Sequence, residues 1–201
     1  MKQNKKGSIS KRLPYILIVC ALLGLLAAFT LTYDKIHVLQ NPNYDPGCNI
    51  NPVLSCGSIM KTEQASLLGV PNTIFGIMGY TALLTFGVLI LAGGTFKKWV
   101  WQVAQVAALS GLLFMGYLFF QGVFRIGAIC PWCFLTWMVT IPVFVYITAH
   151  NLENSIFRIP KSMSKISNII IKNPVNIIAT MYTIVVIILT YQFWYYWKTL
   201  F

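Results

Sequence analysis

Apolar residues along this chain come in five long continuous runs, with neither the strict alternation of half-buried strands nor the 3.6-residue spacing of surface helices. The runs extend approximately from Leu13 to Tyr33, Asn72 to Thr95, Trp99 to Gln121, Pro131 to Asn151 and Val175 to Trp197, and none contains Asp, Glu, Lys or Arg. Each reaches the roughly 20 residues a helix needs to cross the hydrocarbon core of a bilayer. Only a helix or a closed barrel satisfies every backbone polar group in that medium, and uninterrupted apolar runs exclude the barrel's alternation. The pattern therefore predicts an all-α integral membrane protein with five transmembrane helices. A chain of 201 residues that is 57% hydrophobic and 9% charged is also too apolar for a soluble domain.

The connections are unequal. The longest, from Asp34 to Pro71, carries turn chemistry in Asn41-Pro42-Asn43 and Asp45-Pro46-Gly47. Within it Ser58 is placed to cap a short lid helix from Ile59 to Leu68 that stops at Gly69, with Ile59, Met60 and Leu67 on one apolar face. Gly93, Gly94, Lys97 and Lys98 form a tight turn, and Gly122 to Ile129 another, with Arg125 its single charge. Residues 152–173, rich in Ser, Lys and Asn, form a linker. The division is a basic N-terminal segment 1–12, a membrane domain 13–151 containing the loop 34–71, the linker 152–173, and a fifth helix with the C-terminus, 174–201.

Charge fixes the orientation. With the N-terminus in the cytoplasm, Lys2, Lys5, Lys6, Lys11, Arg12, Lys97, Lys98, Arg158, Lys161, Lys165 and Lys172 lie inside, and only Lys35, Lys61, Arg125 and Lys198 outside. This satisfies the positive-inside rule in one direction only. The net charge of +11 thus reports topology and anionic lipid. No basic, aromatic-interleaved soluble segment supports nucleic-acid binding. The first apolar run is longer than the roughly 7 to 15 residues of a signal-peptide core and has only a weak Ala27-Ala28-Phe29 cleavage candidate, so an uncleaved anchor is expected.

Topology then sorts the five cysteines. Cys48 and Cys56 in the long loop, and Cys130 and Cys133 at the start of the fourth helix, all face outward, where thiols can be held oxidised. Cys130-Pro131-Trp132-Cys133 puts two sulfurs about one turn apart on one helix face, and the N-terminal amides and helix dipole there stabilise a thiolate. Such a pair suits thiol–disulfide exchange. Cys48 and Cys56 fit either a structural staple or a second redox pair, and four thiols could instead hold a tetrahedral metal. Cys20, within the first run, reads as a small buried hydrophobe. His37 and His150 fall at opposite ends of the membrane region, in surface or capping positions.

Three stretches carry a resemblance: Cys48-Asn-Ile-Asn-Pro-Val-Leu-Ser-Cys56-Gly-Ser58, Gly69-Val-Pro-Asn72-Thr-Ile-Phe75-Gly76, and Cys130-Pro-Trp-Cys133-Phe-Leu-Thr-Trp137. In these motifs and their order, residues 14–150 resemble the vitamin K epoxide reductase family in its bacterial, disulfide-forming type. The similar-looking DsbB family has its Cys-x-x-Cys in the first outer loop, the reverse arrangement. The resemblance implies a four-helix bundle enclosing a quinone (menaquinone or ubiquinone) near its outer end, with no metal, and a fifth helix outside the bundle. It implies that Cys130 and Cys133 are the couple beside the quinone, and Cys48 and Cys56 a shuttle from an extracytoplasmic thioredoxin-like, DsbA-like protein. Asn72, Phe75 and Trp137 are the implied quinone contacts, Asn72 matching a position that hydrogen-bonds a quinone oxygen while also able to cap the second helix. Two departures stand out: Trp137 replaces a tyrosine of the vertebrate members, which speaks against epoxide chemistry, and the chain ends at Phe201 where many bacterial members continue into a thioredoxin-like domain. The expected location is the bacterial inner membrane. Electrons would run from the partner to Cys48, Cys56, Cys130 and then Cys133, which lies about 4.5 Å deeper along the helix axis than Cys130. The competing readings are a scaffold with a stapled loop and a metal-handling protein.

Overall fold

The computed structural model describes residues 8–41, 43–67, 69–157, 160 and 164–198. Lys2, Lys5, Lys6, Pro42, Leu68, Arg158, Lys161 and Phe201, to which the sequence assigned places, lie outside the described residues. The helices are α1 (Ser8–Gln40), α2 (Cys56–Met60), α3 (Asn72–Leu91), α4 (Lys98–Phe120), α5 (Pro131–Glu153), α6 (Ser164–Lys172), α7 (Pro174–Gln192) and α8 (Trp194–Trp197). A 3-10 turn, Glu63–Ser66, follows α2, and a π-helical turn, Gln121–Ile126, extends α4. Among the described residues five helices, α1, α3, α4 with its π extension, α5 and α7, are long and apolar enough to cross a membrane. The all-α membrane class and the number of spans are as the apolar runs predicted.

Helix α1 packs along both α3 and α5, α4 packs on α5, and α7 lies against the outside of α5. The result is a four-helix bundle with a fifth helix beside it. Small residues set the α1–α3 spacing, as expected where lipid offers no hydrophobic drive and close packing must hold helices together. A Cβ on Gly24 would overlap the Tyr80 ring, one on Gly76 would lie 3.2 Å from Ala28 Cβ, and one on Gly87 would lie 3.0 Å from Ile18 Cγ1. Tyr80, seated over Gly24, hydrogen-bonds the Thr140 hydroxyl of α5 at 3.1 Å and so links three helices.

The attachment of α7 follows from a proline. Pro142, inside α5, has no N–H to give the Met138 carbonyl, and in hydrocarbon an unmet carbonyl is costly. Tyr182 of α7 donates its hydroxyl to that carbonyl at 2.5 Å. Far from the cysteines, the fully buried Asn151 donates to Trp101 O at 3.2 Å and to Gln105 Oε1 at 3.0 Å, tying α5 to α4. His150, expected at the surface or as a cap, instead stacks on Trp101 with ring centroids 4.0 Å apart and lies 3.3 Å from Ser10 Oγ. Lys11, Arg12, Lys97, Lys98, Lys165 and Lys172 all belong to this end of the bundle, opposite the four clustered cysteines.

Several boundaries differ from the sequence reading. Helix α1 runs seven residues past Tyr33, carrying Asp34 and Lys35 as helical residues. The expected lid helix is in two pieces: α2 is capped by Ser55, whose Oγ accepts from Ser58 N at 3.2 Å, and the 3-10 turn follows. Ser58 is thus a first-turn residue, because Ser55 is the last extended residue before the chain turns helical. Gly69 does end the segment, with φ of +78°. The 152–173 linker contains α6, and α7 ends at Gln192 with a break before α8.

Candidate active site

The loop that carries Cys48 and Cys56 is held by asparagines. Asn51 Oδ1 accepts from Val53 N at 3.0 Å and Leu54 N at 2.7 Å, forming a turn that reverses the chain. Asn49 Oδ1 accepts from Gly57 N at 2.9 Å and from Ser55 Oγ at 3.0 Å, fixing the start of α2. Between these turns Leu54 and Ile129 form one isolated parallel bridge, with Ile129 N donating to Val53 O at 2.7 Å and Ser55 N to Ile129 O at 3.0 Å. The residue after each partner segment is a cysteine. Cys56 and Cys130 are thereby brought side by side, their Sγ atoms 3.2 Å apart. Phe193, at the end of α7 and 1% exposed, packs into the same cluster as Val53, Ile129 and Trp137.

Cys48 and Cys56 form a disulfide, and Cys130 and Cys133 are thiols. Cys130 is the N-cap of α5, and its Sγ accepts from Cys133 N at 3.3 Å. The Cys130 thiol is pushed below its ordinary value, first by a hydrogen bond from the Cys133 side chain and further by the Cys133 and Trp132 amides, against the opposing effect of burial. Cys48 is 8% exposed, Cys56 0% and Cys130 1%. All three are buried, Cys48 only slightly less than the other two. Cys20 packs in the bundle core, away from the other four.

Cys56, Cys130 and Cys133 all border a cavity of about 640 Å³ that lies among α1, α3, α4 and α5 and is roofed by α2 and the 3-10 turn. Its walls are almost wholly apolar, with Asn72, Gln64, Thr136 and Trp137 among the residues that supply polar atoms. Among the described residues α3 and α4 make little contact beyond their connecting turn and face each other across this space. Phe75, 39% exposed, stands at its edge. Trp137 is buried against Phe119, with ring centroids 4.7 Å apart, and its Nε1–H has no hydrogen-bond partner among the described residues. Asn72 is not the helix cap: Pro71 holds that position, and both ends of the Asn72 amide engage the roof. Its Nδ2 donates to Gln64 O at 2.6 Å and its Oδ1 accepts from Leu67 N at 3.2 Å.

Three polar residues at the site were not singled out from sequence. Asp34, Lys35 and Tyr44 surround the loop pair: Tyr44 donates its hydroxyl to Asp34 Oδ1 at 3.0 Å, and Lys35 Nζ donates to Met60 O. An Asp-Lys pair directly after twenty-one uncharged residues was the available signal.

A helical membrane bundle that gathers a disulfide and two further thiols at one apolar cavity defines a membrane-embedded thiol oxidoreductase. Residues 15–148 match the Vitamin K epoxide reductase family, and the chain belongs to it. The match covers α1 to α5, the bundle itself, and the family works with quinones and thiol redox partners.

Proposed function

We propose that this protein is a disulfide-forming thiol:quinone oxidoreductase of a bacterial inner membrane, with its N-terminus in the cytoplasm and its four clustered cysteines outside. It reoxidises a thioredoxin-fold, DsbA-like dithiol protein. The observation that carries the reading is the 3.2 Å approach of Cys56 to Cys130, at a cavity that these two and Cys133 all line. A merely structural staple has no use for a third sulfur at attack distance.

The chemistry is sulfur exchange. A partner thiolate attacks Cys48, the Cys48–Cys56 bond breaks, and Cys56 leaves as a thiolate. With Cys130 and Cys133 oxidised to a disulfide, that thiolate attacks Cys130, and Cys133 leaves carrying the electron pair. The partner's second thiol then displaces Cys48, its proton passing to the leaving sulfur, and Cys48 closes again on Cys56 and frees Cys130, whose thiolate the α5 amides hold. The cavity fits a prenylated quinone, menaquinone or ubiquinone: apolar walls for ring and chain, a buried indole N–H at Trp137 without a partner among the described residues, and the Asn72 amide in the same lining. Such a quinone supplies the two-electron acceptor. Phe75 would pack on the ring or its chain, and the roof excludes water.

The purified chain in lipid nanodiscs, given a reduced thioredoxin-like protein and menaquinone, should oxidise one dithiol per quinone reduced. Dithiol oxidation at the same rate without quinone, or a Cys48–Cys56 bond that survives a hundredfold excess of reduced partner, would remove the proposal.

A further inference from the structure

Asp34 is a carboxylate only 6% exposed at the outer end of α1. Taking such a group out of water is costly unless a cation or several donors compensate. Among the described residues Asp34 has no ion-pair partner, and the adjacent Lys35 turns its Nζ to Met60 O instead. Its two oxygens are divided. Oδ1 accepts from Tyr44 at 3.0 Å, which fixes the plane of the carboxyl, and Oδ2 lies 3.8 Å from Cys48 Sγ, within hydrogen-bond reach of a thiol at that sulfur.

Of Cys48, Cys56 and Cys130, Cys48 is the one that does not sit at a helix start. Cys130 caps a helix and draws on the α5 amides. Cys56 begins α2 and abuts Cys130. Cys48 sits in a turn, in an apolar cluster with Leu31, Val38 and Met60.

We propose that Asp34 is a catalytic residue, the proton acceptor for Cys48 when the loop disulfide re-forms. The assignment rests on the reading above that the loop pair cycles. In the step, the Cys48 S–H bond breaks and its proton passes to Asp34 Oδ2. The sulfur's electron pair forms the Cys48–Cys56 bond, the Cys56–Cys130 bond breaks, and Cys130 leaves with that bond's pair as a thiolate. Asp34 returns the proton to water. The other ionisable groups around the carboxyl are Tyr44, Tyr33 and Asp45 near Tyr44, His37 stacked on Tyr44, Cys130 within electrostatic reach, and Lys35, which is turned away.

The test needs neither quinone nor partner. Full-length chain carrying Cys130→Ser and Cys133→Ser, with and without Asp34→Asn, is reduced, mixed with oxidised glutathione, acid-quenched at intervals, alkylated and mapped by mass. Closure of the Cys56–glutathione adduct by Cys48 should be about 30-fold slower at pH 7 in Asp34→Asn, because an ordinary thiol is only about 3% thiolate there. The gap should close above about pH 9.5, where solvent removes the proton. Asparagine keeps an acceptor for Tyr44, so a purely structural role predicts equal rates at pH 7, or a slowing that is the same at every pH; either overturns the proposal. Without any substitution at Asp34, closure should be nearly flat between about pH 6 and 8, and a tenfold fall per pH unit across that range overturns it equally. Failure of the quinone assay together with this closure signature would remove the wider function and leave the role of Asp34 standing.

Discussion

Replacing Asn72 with alanine should loosen the roof of the cavity while leaving the bundle intact. The side chain makes two hydrogen bonds to the backbone of the roof, one to Gln64 O at 2.6 Å and one from Leu67 N at 3.2 Å. At about 1 kcal/mol net for each, the closed roof loses about 2 kcal/mol against the open one, which multiplies the open population about 30-fold. Helix α3 loses little, since position 72 is its first residue and makes no capping bond there. Hydrogen exchange read by mass spectrometry over residues 61–71 should therefore accelerate about 30-fold, with Leu67 N–H the most affected, while exchange in α1 and α5 stays unchanged. Quinone-dependent turnover should fall as the cavity admits water. Unchanged exchange over 61–71, or a loss of protection spread evenly over all the helices, would refute the idea that Asn72 latches the roof.

Cys133→Ser should accumulate a disulfide between Cys56 and Cys130, found by mass mapping, whereas a loop cysteine bonded to Cys133 at the native rate in Cys130→Ser would overturn the order of exchange. Because hydrogen bonding from Cys133 holds the Cys130 thiol below its ordinary value, the reduced chain should alkylate at Cys130 at pH values below the usual thiol range, and Cys133→Ala should move that onset upward. Trp137→Phe removes a buried N–H that has no partner among the described residues, so the quinone-free midpoint should shift little while quinone affinity drops about tenfold; equal affinity would deny Trp137 a role in binding. Tyr182→Phe leaves the Met138 carbonyl beside Pro142 without a donor and should cost about 1 to 3 kcal/mol, read as a lower thermal midpoint and faster exchange in α7, with sulfur exchange among the loop cysteines unaffected.

The helices were legible because bilayer solvation leaves few ways to place twenty uncharged residues, and the cysteines because topology put four on one side. Helix ends were less so. Asp34 and Lys35 read as the start of a loop, yet α1 carries them on to Gln40 because loop and helix bury them together, giving Lys35 a carbonyl at Met60 and Asp34 a hydroxyl at Tyr44. Ser55 and Ser58 are equally good caps by type, and only the extended backbone at Ser55, set by the bridge to Ile129, decides between them. The second bond of Asn72, to a roof eight residues earlier, left no local trace. The Tyr182 contact did: a proline within an apolar run announces a carbonyl in need of a donor, although which helix supplies it depends on packing.

The bridge between Leu54 and Ile129 makes the meeting of Cys56 and Cys130 a question of counting residues rather than of side-chain fit. Each extended residue advances the chain by about 3.3 Å and reverses the direction of its side chain, so one residue inserted between Ser55 and Cys56 would turn the sulfur away from its neighbour altogether. Tolerance to length change should thus alter abruptly at Cys48: the loop upstream can be lengthened to suit a different soluble partner, while the residues from Asn49 to Ser55, whose asparagines hold the turns, act as a ruler that any such redesign must leave at its present length.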